Sequence, residues 1–524
     1  MVDEDHPTPV LRGGLGQAAD GAWTYPIAVA VLEVRAVELP RHRHHLRPLR
    51  SYARQTYADR STGHNRGGQR WHPTCGERAS GERLGDLVIG GPRSSRAFEA
   101  GDTGRSSAVR RDPLHLLVSL ARQKGDCFVY LPGKQQSFLV NRPEYVRQVL
   151  VERTETYSKE TPANVGFGAH VADGLLTSEG EAWRAQRKLM RPVFAQRNVP
   201  AFTDVVSDVV GQTVRAWERA ADDGKEINLS AEVSQLLFRI TVIGLFRVDP
   251  ADWGTRPTEL LAAALPYVGR RHSHPTIRAA RSVIRELADS VIAQHRERGG
   301  DPDDLLSRLI ASGGPEADPV AIRDHVVTLA LAGYTTTASV VGWACYMLAT
   351  QPDVAEQVRA ELASVAPDRP LTVGDLPAVP YLTAVIKETM RLYPPAWIIG
   401  RRALRSDRIG DMDIPPDSVV AISPYVLHRH PTYWPEPEVF EPRRFLDEEG
   451  ERTRKPYSYI PFGAGPRSCI GANFALAEAP LIVGLLVQRY RMTLPNDVHV
   501  RPYGIFVLTP RPPIRASLTS IQRD

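Results

Sequence analysis

Between Val326 and Val341 the sequence is apolar on nearly every side of a helix, within a helical stretch running from Ile322 to Ala349. A helix apolar all round has no face to offer water, so it must run through the middle of a fold. Neighbours to enclose it are abundant. Helical periodicity is predicted over Pro200–Ala221, Ser230–Gly244, Pro275–Glu297, Asp353–Ser364, Val379–Leu392 and Gly471–Tyr490. Asp112-Pro113 can cap a further helix carrying Leu114, Leu116, Leu117 and Leu120. Strand signals are few: Cys127–Leu131 and Ser137–Val140, separated by the turn residues Pro132-Gly133. The expected class is mainly α with a small β region, built as one large domain over residues 111–524.

Residues 1–110 read differently. Gly, Arg, Ser and His interrupt the chain every few residues, and beyond Ile27–Val34 no apolar period is sustained. This Arg/His/Gly-rich segment is expected to be an appendage, poorly ordered by itself. Arg41, Arg43, Arg47, Arg50, Arg54, Arg60, Arg66 and Arg70 face only Asp59 there, with His42, His44 and His45 interleaved. Such a run can bind phosphate or a metal, but most charge runs are solvated segments, and nucleic acid is not the expected partner. At 42% hydrophobic and 24% charged residues the composition is that of a soluble globular protein, which excludes collagen-like, disordered and membrane-bundle classes. No stretch is read as approaching the ~20 apolar residues of a spanning helix. Trp23–Leu32 is too short for an anchor and lacks the flanks of a signal peptide. Four cysteines, Cys75, Cys127, Cys345 and Cys469, are too few in 524 residues for a disulfide framework. The expectation is a cytoplasmic protein without a membrane anchor.

Cys469 stands apart from the other three. It sits in Phe462-Gly463-Ala464-Gly465-Pro466-Arg467-Ser468-Cys469-Ile470-Gly471, directly before a helix. The glycines and proline let the backbone turn tightly and approach a neighbour closely. A helix N-terminus favours anions, so a cysteine at this junction is expected to deprotonate readily, with free N–H groups aimed at its sulfur. The plain alternative is a buried cysteine in a capping loop. A soft thiolate on a rigid loop suits haem iron.

This loop resembles, at every defined position, the haem-ligand signature F-G-x-G-x-R-x-C-x-G of the cytochrome P-450 family of haem-thiolate monooxygenases, bacterial soluble type. Three further stretches match the family in order. Glu388-Thr389-Met390-Arg391 places an acid and a base on one helical face, which in isolation reads as a routine ion pair. The resemblance implies a buried brace for the haem region, completed by Arg444 of Glu441-Pro442-Arg443-Arg444-Phe445. Trp183 and Arg187 share a helix face and can meet one carboxylate; a half-buried core aromatic is the alternative for Trp183. The resemblance implies that Trp183, Arg187, Arg401 and Arg467 contact haem propionates, with Phe462, Cys469 and Gly471 completing the cofactor site. Ala332-Gly333-Tyr334-Thr335-Thr336-Thr337 is a poor helix interior whose threonines can bond back to carbonyls and bend the helix. Here the resemblance implies a local opening for oxygen, with Thr336 as the oxygen-activating threonine; Thr335 stands where the family usually has an acid, and the two hydroxyls are expected to act together in catalysis by ordering the water that carries protons. Two other departures are Pro480, expected to kink its helix, and a short stretch around residues 262–276 where a channel lid is usual.

The resemblance implies haem b bound by Cys469 as axial ligand, and insertion of one atom of O2 into a lipophilic terpenoid, fatty acid or polyketide-like molecule. Thiolate ligation favours O–O cleavage. Because the haem domain takes up the chain from residue 111 onward, electrons are expected from NAD(P)H through a separate ferredoxin or flavodoxin and its reductase. Val165, Phe167, Ala332, Trp397, Ile398, Ile505 and Phe506 fall where the family lines its substrate pocket. One rival keeps the haem but runs on peroxide, or works as an isomerase or dehydratase. The other is a non-catalytic haem or nucleic-acid-binding regulator.

Overall fold

The computed structural model describes residues 112–133, 135–170, 172–264, 275–299, 304–312, 318–495 and 498–521. The expectations for residues 1–110, and most of those for the short stretch 262–276, lie outside these.

The axis of the fold is the helix Pro319–Thr350, started by Asp318, whose side chain accepts from the Val320 N–H, with Pro319 at the first turn. Its residues are buried along most of its length, as an all-round apolar sequence requires. Helix Leu229–Phe246 packs alongside it. Their approach depends on Gly333: a Cβ there would lie 2.7 Å from Thr241 Cγ2. Phe202, on helix Val199–Asp222, presses in the same way on Gly244. Helices Pro380–Leu392 and Ala472–Arg489 complete the surroundings, and Trp343 of the central helix stacks on Tyr393 with centroids 4.0 Å apart.

Helices Leu229–Phe246 and Pro319–Thr350 are long and apolar enough to cross a membrane by length and composition, which corrects the expectation that no stretch approaches that limit. Both are substantially buried within the protein, 56% and 83% of their apolar windows respectively. A core helix passes the same test as a spanning one.

The main sheet has five strands. Cys127–Leu131 pairs antiparallel with Ser137–Val140, which runs parallel to Val419–Ile422. That strand pairs antiparallel with Ile399–Ala403, and Tyr157–Ser158 forms the far edge. A hairpin of Arg501–Gly504 and Leu508–Arg511 is pinned to the central helix by the Ser339 hydroxyl, which donates to the Leu508 carbonyl at 2.5 Å. Its tip, residues 505–507, therefore reaches the interior beside that helix.

At both places where a distortion is expected the chain remains helical. Residues 332–337 stay helical, because each threonine hydroxyl bonds back without displacing the ladder: Thr335 to Leu331 O, Thr336 to Ala332 O and Thr337 to Gly333 O. Helix Ala472–Arg489 likewise continues through Pro480, which is buried among apolar neighbours.

Candidate active site around Cys469

A cavity of about 510 Å³ is walled by the central helix, the helix Ala472–Arg489, the Cys469 loop and the hairpin tip. The central helix contributes Thr328, Leu329, Ala332, Gly333, Thr336, Thr337 and Val340. Those spacings, alternately one and three, make a single helical stripe. Thr335 falls off it. It is buried away from the cavity, so it does not stand beside Thr336 at the wall as the sequence reading had it.

The Cys469 loop owes its shape to two left-handed glycines, Gly463 at φ +68° and Gly465 at φ +71°. Gly465 is pressed against the Leu150 carbonyl, where a side chain would collide. The Cys469 N–H donates to Phe462 O at 2.9 Å, closing the loop beneath the cavity. Cys469 lines that cavity and is accessible from it. In the protein alone its thiol is pushed above the usual cysteine value, which corrects the expected ready deprotonation. Burial raises it and outweighs the Gly471 N–H hydrogen bond and the Arg187 charge, both of which favour the thiolate. A metal ion at the sulfur would reverse that balance, because a coordinating thiol loses its proton outright.

One wall is strongly cationic. Lys159, Arg187, Arg401 and Arg467 all line the cavity. Glu179 meets them. Its carboxylate accepts from the Lys159 N–H at 2.5 Å and from Arg467 Nη2 at 2.6 Å, while Arg467 Nη1 donates to Ser178 O at 2.8 Å. The Arg467 guanidinium also lies over the Trp183 ring, 3.9 Å from its centroid. On strand Ile399–Ala403 the pleat separates two adjacent arginines: Arg401 is buried at the cavity, whereas Arg402 turns outward to Glu160 at 2.9 Å. Crowded burial pushes the Lys159 amine down to about 7, through desolvation first and then Arg401 and Arg467. Arg401 is likewise pushed down to about 10 by burial and by Arg467. Positive charge packed this densely around a single carboxylate calls for anionic partners. A thiol on one side, an excess of cations on another and apolar walls elsewhere form a donor set that fits a haem with its two carboxylates.

Phe167, Ala332, Ile398, Ile505 and Phe506 line the cavity with Trp183, Phe462 and Gly471, and Phe167 stacks on Phe506 with centroids 4.8 Å apart. Two other expected pocket residues do not. Val165 is 57% exposed on the outer side of helix Pro162–His170. Trp397 is in the core, its indole N–H donating to Ile505 O at 2.9 Å, so it supports the hairpin tip from behind.

Away from the cavity, Glu388 and Arg391 are completely buried and joined by two hydrogen bonds of 2.7 and 2.8 Å. Arg391 also donates to the carbonyls of His428, Pro437 and Val439. Arg444 Nε lies 3.4 Å from Glu388 Oε1. His428, which the sequence did not single out, links this brace to the approach of the cysteine loop. One ring nitrogen accepts from the Ile460 N–H and the other faces Arg391 O. Burial and Arg391 push it down to about 3, so it is neutral. Lys159, Glu179 and Glu478 were also missed. The available signals were a lysine in a chain poor in lysine and a lone acid on an apolar helix. Among the described residues, no group of three or more His, Cys, Asp or Glu could hold a bare metal ion.

A family model described as Cytochrome P450 matches residues 104–248 and 261–518, and the chain belongs to that family. It is a cytochrome P450 monooxygenase, an oxidoreductase that uses haem iron and dioxygen on a lipophilic substrate. Its relatives include the cyclooctatin synthase of Streptomyces melanosporofaciens, 32% identical over 433 residues, covering 78% of this chain and 92% of that protein. The cyclooctat-9-en-7-ol 5-monooxygenase of the same organism is 30% identical, over 74% of this chain and 87% of that protein. Among solved structures, the cytochrome P450DA heme domain superposes with a TM-score of 0.71 at 25% identity, covering 80% of this chain and 95% of that one.

Proposed function

We propose that the protein hydroxylates a terpenoid-like molecule, a largely hydrocarbon framework with few polar groups. The observation that carries this is the apolar part of the cavity lining, where Leu175, Leu176, Phe202, Leu245 and the Phe167–Phe506 stack offer area but few hydrogen-bonding groups. The bacterial relative named for cyclooctat-9-en-7-ol, a cyclic alkenol by its name, supports the class. Cys469 would hold the haem iron; Trp183, Arg187, Arg401 and Arg467, joined by Lys159, would hold its carboxylates; the Glu388–Arg391–Arg444 brace would steady the loop. Haem supplies the reductive activation of dioxygen when bound. The chain's own part is to exclude water with apolar walls, orient the substrate and hold protons at the Thr336 hydroxyl.

Electrons come from NAD(P)H through a ferredoxin or flavodoxin and its reductase in the cytoplasm, and the working domain begins near residue 111. To test the class, haem-loaded protein is screened for the spectral shift of substrate binding against cyclic terpenoids, fatty acids and polyketides. Cyclic terpenoids should shift the spectrum most strongly, and the binder should be hydroxylated with NADPH, ferredoxin and ferredoxin reductase. Turnover with hydrogen peroxide but not with NADPH would instead establish the peroxygenase reading. A version beginning at Arg110 should fold and bind haem; haem-free aggregate would move the boundary into residues 1–110.

A further inference from the structure

The cavity stripe of the central helix does not stop where the wall stops. One turn before Thr328 and Leu329 it continues with Asp324 and His325, which are buried against residues 173 and 174. Three polar atoms at this end have no hydrogen-bond partner: Asp324 Oδ1, His325 Nδ1 and Thr328 Oγ1. None of the three residues is more than 9% exposed. Folded proteins leave few such atoms, because each carries a desolvation cost that nothing offsets. Three of them on adjoining turns of one helix need a physical reason.

Thr328 departs from its neighbours on the helix. The hydroxyls of Thr335, Thr336 and Thr337 each bond back to the carbonyl four residues earlier, and that of Thr328 does not. Gly174 lies over it instead: a Cβ on residue 174 would sit 2.7 Å from Thr328 Oγ1 and 3.2 Å from His325 Nδ1. Glycine there lets the backbone come close without putting a side chain on either atom. Asp324 is held by its other oxygen, which accepts from the Asp173 N–H at 3.1 Å. Arg285, on helix Pro275–Glu297, bears on Asp324 electrostatically but forms no ion pair with it among the described residues.

The chemistry of the three groups selects their complement. A carboxylate oxygen accepts, and a threonine hydroxyl both accepts and donates. Burial holds the His325 ring below its ordinary value, so it is neutral and offers one donor and one acceptor. The charges that bear on this ring are Asp324 and Asp173, both negative, so an anion is unfavourable beside it. A hydrocarbon leaves all three atoms unpaired. An alcohol O–H suits them, donating to Asp324 or His325 while accepting from Thr328. The desolvation cost of these groups is already incurred in the free protein, so an alcohol adds bonds here without breaking bonds between protein and water.

We propose that Asp324, His325 and Thr328 form an alcohol-binding subsite at the end of the cavity, and that the substrate arrives already bearing a hydroxyl group. The Gly174 backbone, which covers the three atoms in the free protein, moves aside to admit it. Thr328 precedes Thr336 by eight residues, about 12 Å along the helix axis. The oxygen the substrate brings is held about that far from the end of the cavity where the new one is inserted. The subsite thereby fixes which carbon is presented for hydroxylation.

This subsite rests on the terpenoid reading of the cavity, and the test separates the two. Haem-loaded full-length protein is titrated with dehydroabietane, dehydroabietinol and dehydroabietic acid, which share one framework, and with the pair cedrane and cedrol. The spectral shift of substrate binding gives each affinity. In wild type each alcohol should bind about tenfold more tightly than its hydrocarbon, the effect of one well-made hydrogen bond. The acid should bind less tightly than its alcohol. Thr328→Val keeps the shape and removes the hydroxyl; it should erase the alcohol's advantage without weakening hydrocarbon binding, and Thr328→Ser should retain it. Gly174→Ala should also reduce the advantage, by pressing a methyl group against Thr328 Oγ1. With NADPH, ferredoxin and ferredoxin reductase, wild type should convert the better-bound alcohol to one diol, and Thr328→Val to several positional isomers. If Thr328→Val does not fold, Asp324→Asn, which should also lower the advantage, carries the test. A hydrocarbon or acid bound as tightly as its alcohol in wild type, or an advantage undiminished in these variants, overturns the subsite and leaves the terpenoid reading standing. No spectral shift with either framework overturns the terpenoid reading, and the subsite with it.

Discussion

At the scale of the residue, the chemistry turns on one sulfur held against its own solvation preference. The Cys469 thiol faces the cavity, where desolvation disfavours its ionised form and only the Gly471 N–H and Arg187 favour it. Haem-loaded Cys469→Ala should therefore lose the red-shifted Soret band of the reduced CO complex, while Cys127→Ala, on a sheet strand, keeps it. A thiolate-type spectrum in Cys469→Ala would transfer the ligand role to another residue. Thr336 is the second residue on which the reading depends. Its side chain lines the cavity, and its hydroxyl donates to Ala332 O at 2.8 Å while remaining able to accept. Thr336→Ala should leave haem spectra and substrate shifts intact but lower product per NADPH and raise peroxide, consistent with a role in moving protons rather than in binding. If the variant stays fully coupled, protons bypass this hydroxyl.

At the scale of the element, the brace under the cysteine loop is the part whose loss should unfold the site. Helix Pro380–Leu392 projects Glu388 and Arg391 into a region with no accessible surface, and Arg391 ties down three carbonyls of the 428–439 segment. Removing one member strands the other charge. Arg391→Ala or Glu388→Ala should each cost about 3–5 kcal/mol, read as a fall in denaturant midpoint and in haem retention. A change below about 1 kcal/mol would mean the pair behaves as an exposed one. The helices of this framework were readable because apolar period is a local property: Pro275–Glu297 forms with the bounds its sequence predicts, and Ser230–Gly244 extends by one residue at its start and two at its end. The strands Ile399–Ala403 and Val419–Ile422 were not read. The first carries Arg401 and Arg402, which break any apolar alternation, and both are defined by long-range partners. The same reason hid Lys159 and Glu478 within the site: which charge is buried is decided by distant segments. Conversely, Val165 and Thr335 were placed by position in a motif, and side-chain direction on the helix put both off the cavity wall.

At the scale of the whole molecule, folding and cofactor loading are coupled through the cationic wall. Without haem, burial beside Arg401 and Arg467 pushes the Lys159 amine down to about 7, from an ordinary value of 10.5. Between those values the unfolded chain binds more protons than the folded one, so stability rises with pH across that window. The cost of burying Lys159 is absent above the unfolded value and complete below about 7. Replacing Lys159 by methionine removes the titration and keeps much of the apolar stem. Haem-free Lys159→Met should accordingly exceed wild type in denaturant midpoint near pH 7, and its advantage should shrink as pH rises toward 10. Groups common to both proteins, such as the Cys469 thiol, cancel in that difference. Haem changes the sign of the argument. Its carboxylates would give Lys159 and its neighbouring arginines the partners Glu179 alone cannot supply, raising the lysine's proton affinity and adding binding energy to the folded state. In the haem-loaded proteins the advantage of Lys159→Met at pH 7 should vanish or invert, with weaker haem retention in the variant. A difference independent of both pH and haem would show that Lys159 is charged in the folded protein throughout, and that the wall is not assembled against the anions of the cofactor.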